Sequence, residues 1–217
     1  MNPAPILIRP ARPDDAPDAA RLLQIAGTGL LETLFGAPTE PTIRALARLF
    51  RAPGHVLSYS CTFVAARGDE VLGLYAGMDE AGWDEVFRAT TRFNARWLAA
   101  VPPWRLVHFW RALRDLYTGP DELPPAYQTG DRYYIEWLAV MPHARRQGVA
   151  SRLLDFAAEQ ARAQGLGQLA LEVLIENEGA QRFYEAYGFR QVRVTTDDVR
   201  FNRRYGSQGY ILLSKPL

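Results

Sequence analysis

Apolar residues along the chain recur with two different periods. "ILIRPA" (residues 6–11) and "YSCTFVAARGDEVLGLYAGM" (59–78) are short alternating or continuous apolar runs, as expected of strands, and the turn "RGDE" splits the second into a hairpin. Between them, "RPDDAPDAARLLQIAGTGLLETLF" opens with aspartates suited to a helix N-terminus and then sets Ala19, Leu22 and Leu23 at helical spacing. "PTIRALARLF" repeats that spacing through Ile43, Leu46 and Leu49 or Phe50, and "APGH" ends it. From about 79 to 131 the pattern changes to two aromatic helices, "WDEVFRATTRFNARWLAAV" and "WRLVHFWRALRDLY", separated by Pro102 and Pro103 and followed by the turn-rich "TGPDELPPAYQTGD". The strand "RYYIEWLAVMP" then precedes a helix from about 149 to 164 that Gly165 closes. "QLALEVLI" reads as a buried strand, "EGAQRFYEAYGF" as a short helix stopped by Gly188, and "RQVRVTT" and "GYILLSKPL" as a final pair of strands.

Strands dominate both ends of this order, with one strand, helix, strand unit in the middle. The expected class is α/β of the α+β type: a mixed, partly antiparallel central sheet with helices on both faces and a helical aromatic insertion. The whole chain, 1–217 and 48% hydrophobic, is long enough for one domain with one sizeable core.

Charge narrows the function. Lys and Arg number 25 against 24 Asp and Glu, so no polyanion-binding face is expected, and nucleic acid is not a predicted partner. Cys61 sits in an apolar strand-like run, where a buried thiol is favoured over a nucleophile. His55, His108 and His143 are too dispersed for a zinc site, so no metal is expected. No apolar run approaches the roughly 18 residues that span a bilayer, and "MNPAPILIRP" does not read as a signal peptide. A cytoplasmic protein with no membrane association is the expectation.

The stretch "VMPHARRQGVASRLL" (140–154) enters a helix through Arg145, Arg146, Gln147 and Gly148. A helix start leaves N–H groups unpaired and partly positive, which suits a phosphate. Gly148 lets a ligand approach the backbone, Ala150 and Ser151 keep the next turn small, and the arginines add charge. The competing reading is an ordinary turn with solvated arginines. Neither GxxxxGK[ST] nor GxGxxG is present.

Residues 132–165, "RYYIEWLAVMPHARRQGVASRLLDFAAEQARAQG", resemble the core of the GNAT superfamily of acyl-CoA-dependent N-acyltransferases, whose signature Arg145, Gly148 and Ala150 meet. "NEGAQRFYEAYGF" is similar to a second segment of that family through Asn177, Ala180, Tyr184, Gly188 and Phe189. The opening of the chain and the hairpin to Met78 resemble the family's first half, whereas 79–131 is longer and more aromatic than the family pattern. The resemblance implies acetyl-CoA as co-substrate and an amine acceptor whose identity stays open. It sets Arg145, Arg146, Gln147, Gly148, Val149, Ala150 and Ser151 around the pyrophosphate, with the amides of 146–151 holding it. It also implies that backbone groups of Leu138 and Val140, with Asn177, contact the pantetheine arm in a slot between splayed strands, and that Tyr184 acts as general acid near the sulfur.

Acyl transfer to an amine needs a base, because an alkyl ammonium has a pKa near 10.4, and an acid for the departing thiolate. Alternation puts Glu136, Leu138 and Val140 on one strand face and Ile135, Trp137 and Ala139 on the other. Glu136 is therefore a carboxylate in an apolar strand and the first candidate base. Glu172 in "LALEVLI" is the second, and a water chain is the third. Each has a plainer reading: a partnered structural Glu, a helix cap for Asn177 and an apolar helix stripe for Tyr184. Trp83, Phe87, Phe93, Trp97, Trp104, Trp110 and Tyr117 suit the core or a homodimer contact better than a pocket, but would select a bulky amine if they line one. Arg200, Arg203 and Arg204 read as a solvated hairpin turn. The leading function is an N-acetyltransferase working through a direct ternary complex; the alternative is a non-catalytic acyl-CoA-binding module.

Overall fold

The structure is a computed structural model that describes residues 4–27, 29–91, 101, 103–117, 130–196 and 207–217. Its strands are β1 (Leu7–Pro10), β2 (Thr62–Arg67), β3 (Glu70–Met78), β4 (Arg132–Val140), β5 (Gln168–Leu174), β6 (Arg190–Thr195) and β7 (Tyr210–Pro216). They form one sheet in the order β1-β2-β3-β4-β5-β7-β6. All neighbours run antiparallel except β4 and β5, the parallel pair that the strand, helix, strand unit requires. The helices are α1 (Ala16–Ala26), α2 (Leu30–Phe35), α3 (Thr39–Phe50), α4 (Glu80–Thr91), α5 (Leu106–Tyr117), α6 (Val149–Ala163) and α7 (Glu178–Tyr187).

The helical run read over 12–35 is two helices. A side chain at Gly27 would lie 2.8 Å from Leu31 and 3.1 Å from Trp137, so the glycine lets the α1–α2 corner sit against β4. Asp15 does more than open a helix: its carboxylate accepts two hydrogen bonds from Arg9, at 2.7 and 2.8 Å, and one from the Arg12 N–H, tying β1 to the start of α1.

Register partners share a face of a sheet, so the pairing shows which helix covers which side. Gly73, the partner of Val140, faces Val149 and Leu153, which places α6 on the side of Tyr75, Leu138 and Val140. Trp137 pairs with Ala76 on the opposite side, where it meets the α1–α2 corner at Gly27. Helices therefore cover both faces, and their buried residues, Leu22 and Leu23 from α1 and Leu153, Leu154 and Ala157 from α6, complete the core.

The alternation expected for β4 holds from Glu136 to Val140, with Glu136, Leu138 and Val140 half-buried and Trp137 and Ala139 buried. It fails at Ile135. There the register jumps from Ala76–Trp137 to Gly77–Ile135, so Glu136 is an extra residue in the ladder, a β-bulge, and Ile135 moves to the Leu138 side.

The insertion is anchored at two points. Asp79 caps α4 through the Gly82 N–H (2.9 Å), and the buried Trp83 donates from Nε1 to the Tyr134 carbonyl at 3.3 Å while packing edge-on to the Tyr134 ring. Phe109 of α5 is fully buried against Phe35 of α2, with centroids 5.5 Å apart, and His108 Nε2 lies 2.8 Å from the Thr33 carbonyl oxygen. Trp83 is thus core, Trp110 is half-buried and Trp104 is 81% exposed. Phe93, Trp97 and the side chains of Phe87 and Tyr117 lie outside the described residues, as do Arg200, Arg203 and Arg204.

Gly36 closes α2 at φ +57°, and a Cβ there would stand 2.7 Å from the His108 ring. Gly36→Ala should lower the stability read from urea unfolding by about 1–3 kcal/mol, since left-handed backbone and a displaced His108 act together.

Candidate active site

The parallel pair β4–β5 is joined over only four residues of each strand, 132–135 with 168–171. Beyond them β4 continues to Val140 on β3, and β5 continues to Leu174 on β7. The two strands therefore part, and the parting begins at the Glu136 bulge and at Glu172 directly opposite. A bulge bends its strand and raises the local twist, which is how the sequence opens a cleft in the middle of a continuous sheet.

The backbone lining that cleft follows from strand geometry. Met141 donates its N–H to the Leu72 carbonyl on β3 at 2.8 Å. Polar backbone groups alternate in direction along a strand, so Ala139 also turns to β3, and Leu138 and Val140 turn theirs toward the cleft.

Two carboxylates, Glu136 and Glu172, flank the point where the strands part. One oxygen of Glu172, Oε1, is buried and has no hydrogen-bond partner among the described residues. Burial is the main reason that the Glu172 pKa is pushed up to about 8; the nearby Glu136 charge adds to the rise, and Arg193 opposes it. Trp137 Nε1 is likewise buried and has no hydrogen-bond partner among the described residues.

On the α6 side of the cleft lies the arginine-rich turn. After a short 3-10 turn (Pro142–Ala144) and an extended Arg145, Arg146 takes φ +60°, a left-handed conformation uncommon in residues other than glycine, and Gly148 takes φ +76°. Arg145, Arg146, Gln147 and Gly148 are all exposed. Helix α6 starts at Val149, and its first helical bond runs from Arg152 N–H to the Gly148 carbonyl at 3.1 Å. The N–H groups of Val149, Ala150 and Ser151 precede that bond. The turn is braced: Gln147 donates to the His143 carbonyl (2.8 Å), Arg67 reaches Gln147 Oε1 (3.4 Å), and His143 lies 2.9 Å from Glu70. No motif marks Arg67 or Glu70 for that task; only the fold of the hairpin brings them there.

Helix α7 follows β5, and Gln181 ties it back to the Leu174 and Ile175 carbonyls at 3.1 and 2.7 Å. Asn177 caps it, its Oδ1 accepting from the Ala180 N–H at 3.1 Å. Tyr184 is buried between Phe183 and Phe189, and burial raises its hydroxyl pKa. Tyr187 donates to Asp155 of α6 at 2.5 Å, and Lys215 sits 4.0 Å over its ring, so α7 is fastened to both α6 and β7. Cys61 is the buried thiol expected: it donates to the His55 and Ser58 carbonyls, both at 3.3 Å, and burial pushes its pKa to about 11. Among the described residues no cluster could hold a metal ion, and no helix is long and apolar enough to cross a membrane.

Between about pH 4.5 and pH 8 the folded protein retains a proton on Glu172 that the unfolded chain has released, so stability falls as pH rises through this window. Urea midpoints measured across it should decline, and Glu172→Gln should flatten the decline and be the more stable form at pH 8. An equal slope in both proteins would contradict the burial of this carboxylate.

The pattern that defines the Acetyltransferase (GNAT) family matches residues 31–189, well over half of the chain. Over 202 residues the chain is 29% identical to Probable N-acetyltransferase 14 of Macaca fascicularis, covering 88% of this chain and 90% of that protein. Shorter matches include GCN5-related N-acetyltransferase 6, chloroplastic, of Arabidopsis thaliana, 39% identical over 82 residues, or 36% of this chain. The chain spans only 28% of the length of that plant protein, and 39% of N-alpha-acetyltransferase 30 of Schizosaccharomyces pombe, to which it is 36% identical over 58 residues, or 27% of this chain. Among solved structures, an N-acetyltransferase from Staphylococcus aureus Mu50 superposes with a TM-score of 0.69 at 21% identity, covering 96% of this chain and 99% of that one, which is a likeness of fold.

Proposed function

Because the chain belongs to the GNAT family of acetyltransferases, we propose that it transfers an acetyl group from acetyl-CoA to a primary amine of a small molecule or peptide, by direct attack within a ternary complex. The observation that carries this reading is the parting of β4 and β5 around a buried carboxylate of raised pKa. The amides at the start of α6 take the coenzyme pyrophosphate, with Arg145 and Arg146 adding charge at the rim. Backbone groups of Leu138 and Val140 hold the pantetheine arm, and Asn177 stands at the same edge.

Glu136 led on the sequence alone, but burial gives Glu172 the better claim as base. A carboxylate of pKa about 8 matches a proton acceptor for an ammonium substrate near neutral pH far better than an ordinary one. The Glu136 charge then helps keep that proton affinity high. The amine nitrogen, once neutral, bonds to the thioester carbon; the carbon–sulfur bond breaks; the Tyr184 hydroxyl gives its proton to the departing sulfur; and the second proton, which the nitrogen sheds as the amide forms, restores that hydroxyl. Burial of Tyr184 keeps the hydroxyl protonated until that moment.

A free-thiol assay with acetyl-CoA over amines and peptide N-termini tests the reading. Glu172→Gln should lower kcat by about 10²- to 10⁴-fold with little change in coenzyme binding, and the acid limb of kcat/KM near pH 8 should vanish. Glu136→Gln should keep activity and move that limb to lower pH, because one of the charges raising the Glu172 pKa is gone. Coenzyme binding by calorimetry without turnover across the panel would instead support a binding module.

Tyr184→Phe should reduce kcat well beyond any change in coenzyme affinity. Equal turnover by this variant and the parent would remove Tyr184 as the acid.

A further inference from the structure

Leu212 of β7 is the register partner of both Glu172 on β5 and Arg193 on β6, so these three residues form one row across the sheet. Partners in a row project to the same face, and two strand spacings put the Glu172 and Arg193 backbones about 10 Å apart. The placement of Arg193 depends on a second irregularity. The β6–β7 register passes from Gln191–Leu213 to Arg193–Leu212, leaving Val192 as an extra residue. An unbroken ladder would pair Arg193 with Ile211, the partner of Val173, and send its side chain to the opposite face. The bulge at Val192 therefore turns this guanidinium onto the carboxylate side, and re-aiming a side chain beside a site is a recurrent use of bulges. Arg193 is exposed and makes no ion pair among the described residues, yet its charge is felt at Glu172.

We propose that Arg193 binds a negatively charged group on the acceptor, so that the preferred acceptor is a primary amine carrying a carboxylate within reach of about two strand spacings. The inference rests on the acetyl-transfer reading, with the amine at Glu172. Opposite charges on the acceptor then meet opposite charges on the protein: the ammonium faces Glu172, where the Glu136 charge is also felt, and the carboxylate faces Arg193. A polycationic acceptor meets repulsion at the same place. A free amino-carboxylate and a peptide with an acidic residue behind its N-terminus share the chemistry, and the two are separated by including both.

The test compares kcat/KM for amino-carboxylic acids of graded length, their neutral amides and diamines, together with peptides bearing Asp or Asn at the second position. In the parent protein at least one acidic series should exceed its neutral match by about tenfold or more. That ratio should collapse toward one in Arg193→Gln and persist in part in Arg193→Lys. A role limited to tuning Glu172 would change acidic and neutral acceptors alike and leave the ratio intact, which overturns the proposal; so does an absence of charge preference in the parent. Turnover of no amine at all is a different result, because it removes the acetyl-transfer reading and takes this inference with it.

Discussion

A parallel strand pair that stops after four residues governs this structure. Were β4 and β5 to pair along their full lengths, the backbone groups of Leu138 and Val140 would be spent on the ladder, and the sheet would have no opening. Parting them frees these groups from a β4–β5 ladder, and the Val140 carbonyl accepts from Arg145 Nε at 3.4 Å instead. The separation persists because each strand is secured on its other side, β4 to β3 through Val140 and β5 to β7 through Leu174. Helix α6 then spans the opening strands, with Leu153 and Leu154 fully buried.

Charge inside the cleft follows from the same constraint. Glu172 would be an ordinary carboxylate at a strand surface; in the angle between two diverging strands it loses water and keeps an unpaired oxygen. Its raised pKa is therefore a consequence of sheet geometry, with the Glu136 charge as a secondary contribution. The α6 turn works in the opposite sense. It gathers N–H groups and arginines on the other side of the sheet, and the left-handed Arg146 records backbone strain held by Gln147, His143, Arg67 and Glu70.

Local chemistry was legible in the sequence, and nonlocal register was not. The helix start after Gly148, the Asn177 cap and the buried Cys61 all follow from short-range spacing, and the structure bears them out. The break at Gly27 was hidden because its cause, the close approach of Trp137, lies more than a hundred residues away. Strict alternation misplaced Ile135 for a similar reason: a bulge belongs to a pair of strands, and one strand read alone cannot show it. Arg193 carries no motif. Only the row through Leu212 connects it to Glu172.

The described helices of the insertion between β3 and β4 support the Trp137 side of the sheet. Trp83 of α4 hydrogen-bonds the carbonyl of Tyr134, a β4 residue on the face shared by Trp137 and Glu172. Phe109 of α5 packs on α2, and α2 follows the Gly27 corner that touches Trp137. Both anchors are buried aromatics, whose area and ring packing contribute stability that an exposed aromatic stripe would not. Among the described residues, the insertion thus braces the Trp137 face of the sheet, while α6 covers the opposite face. Changes in the insertion can therefore alter one side of the cleft and leave the turn from Arg145 to Ser151 in place.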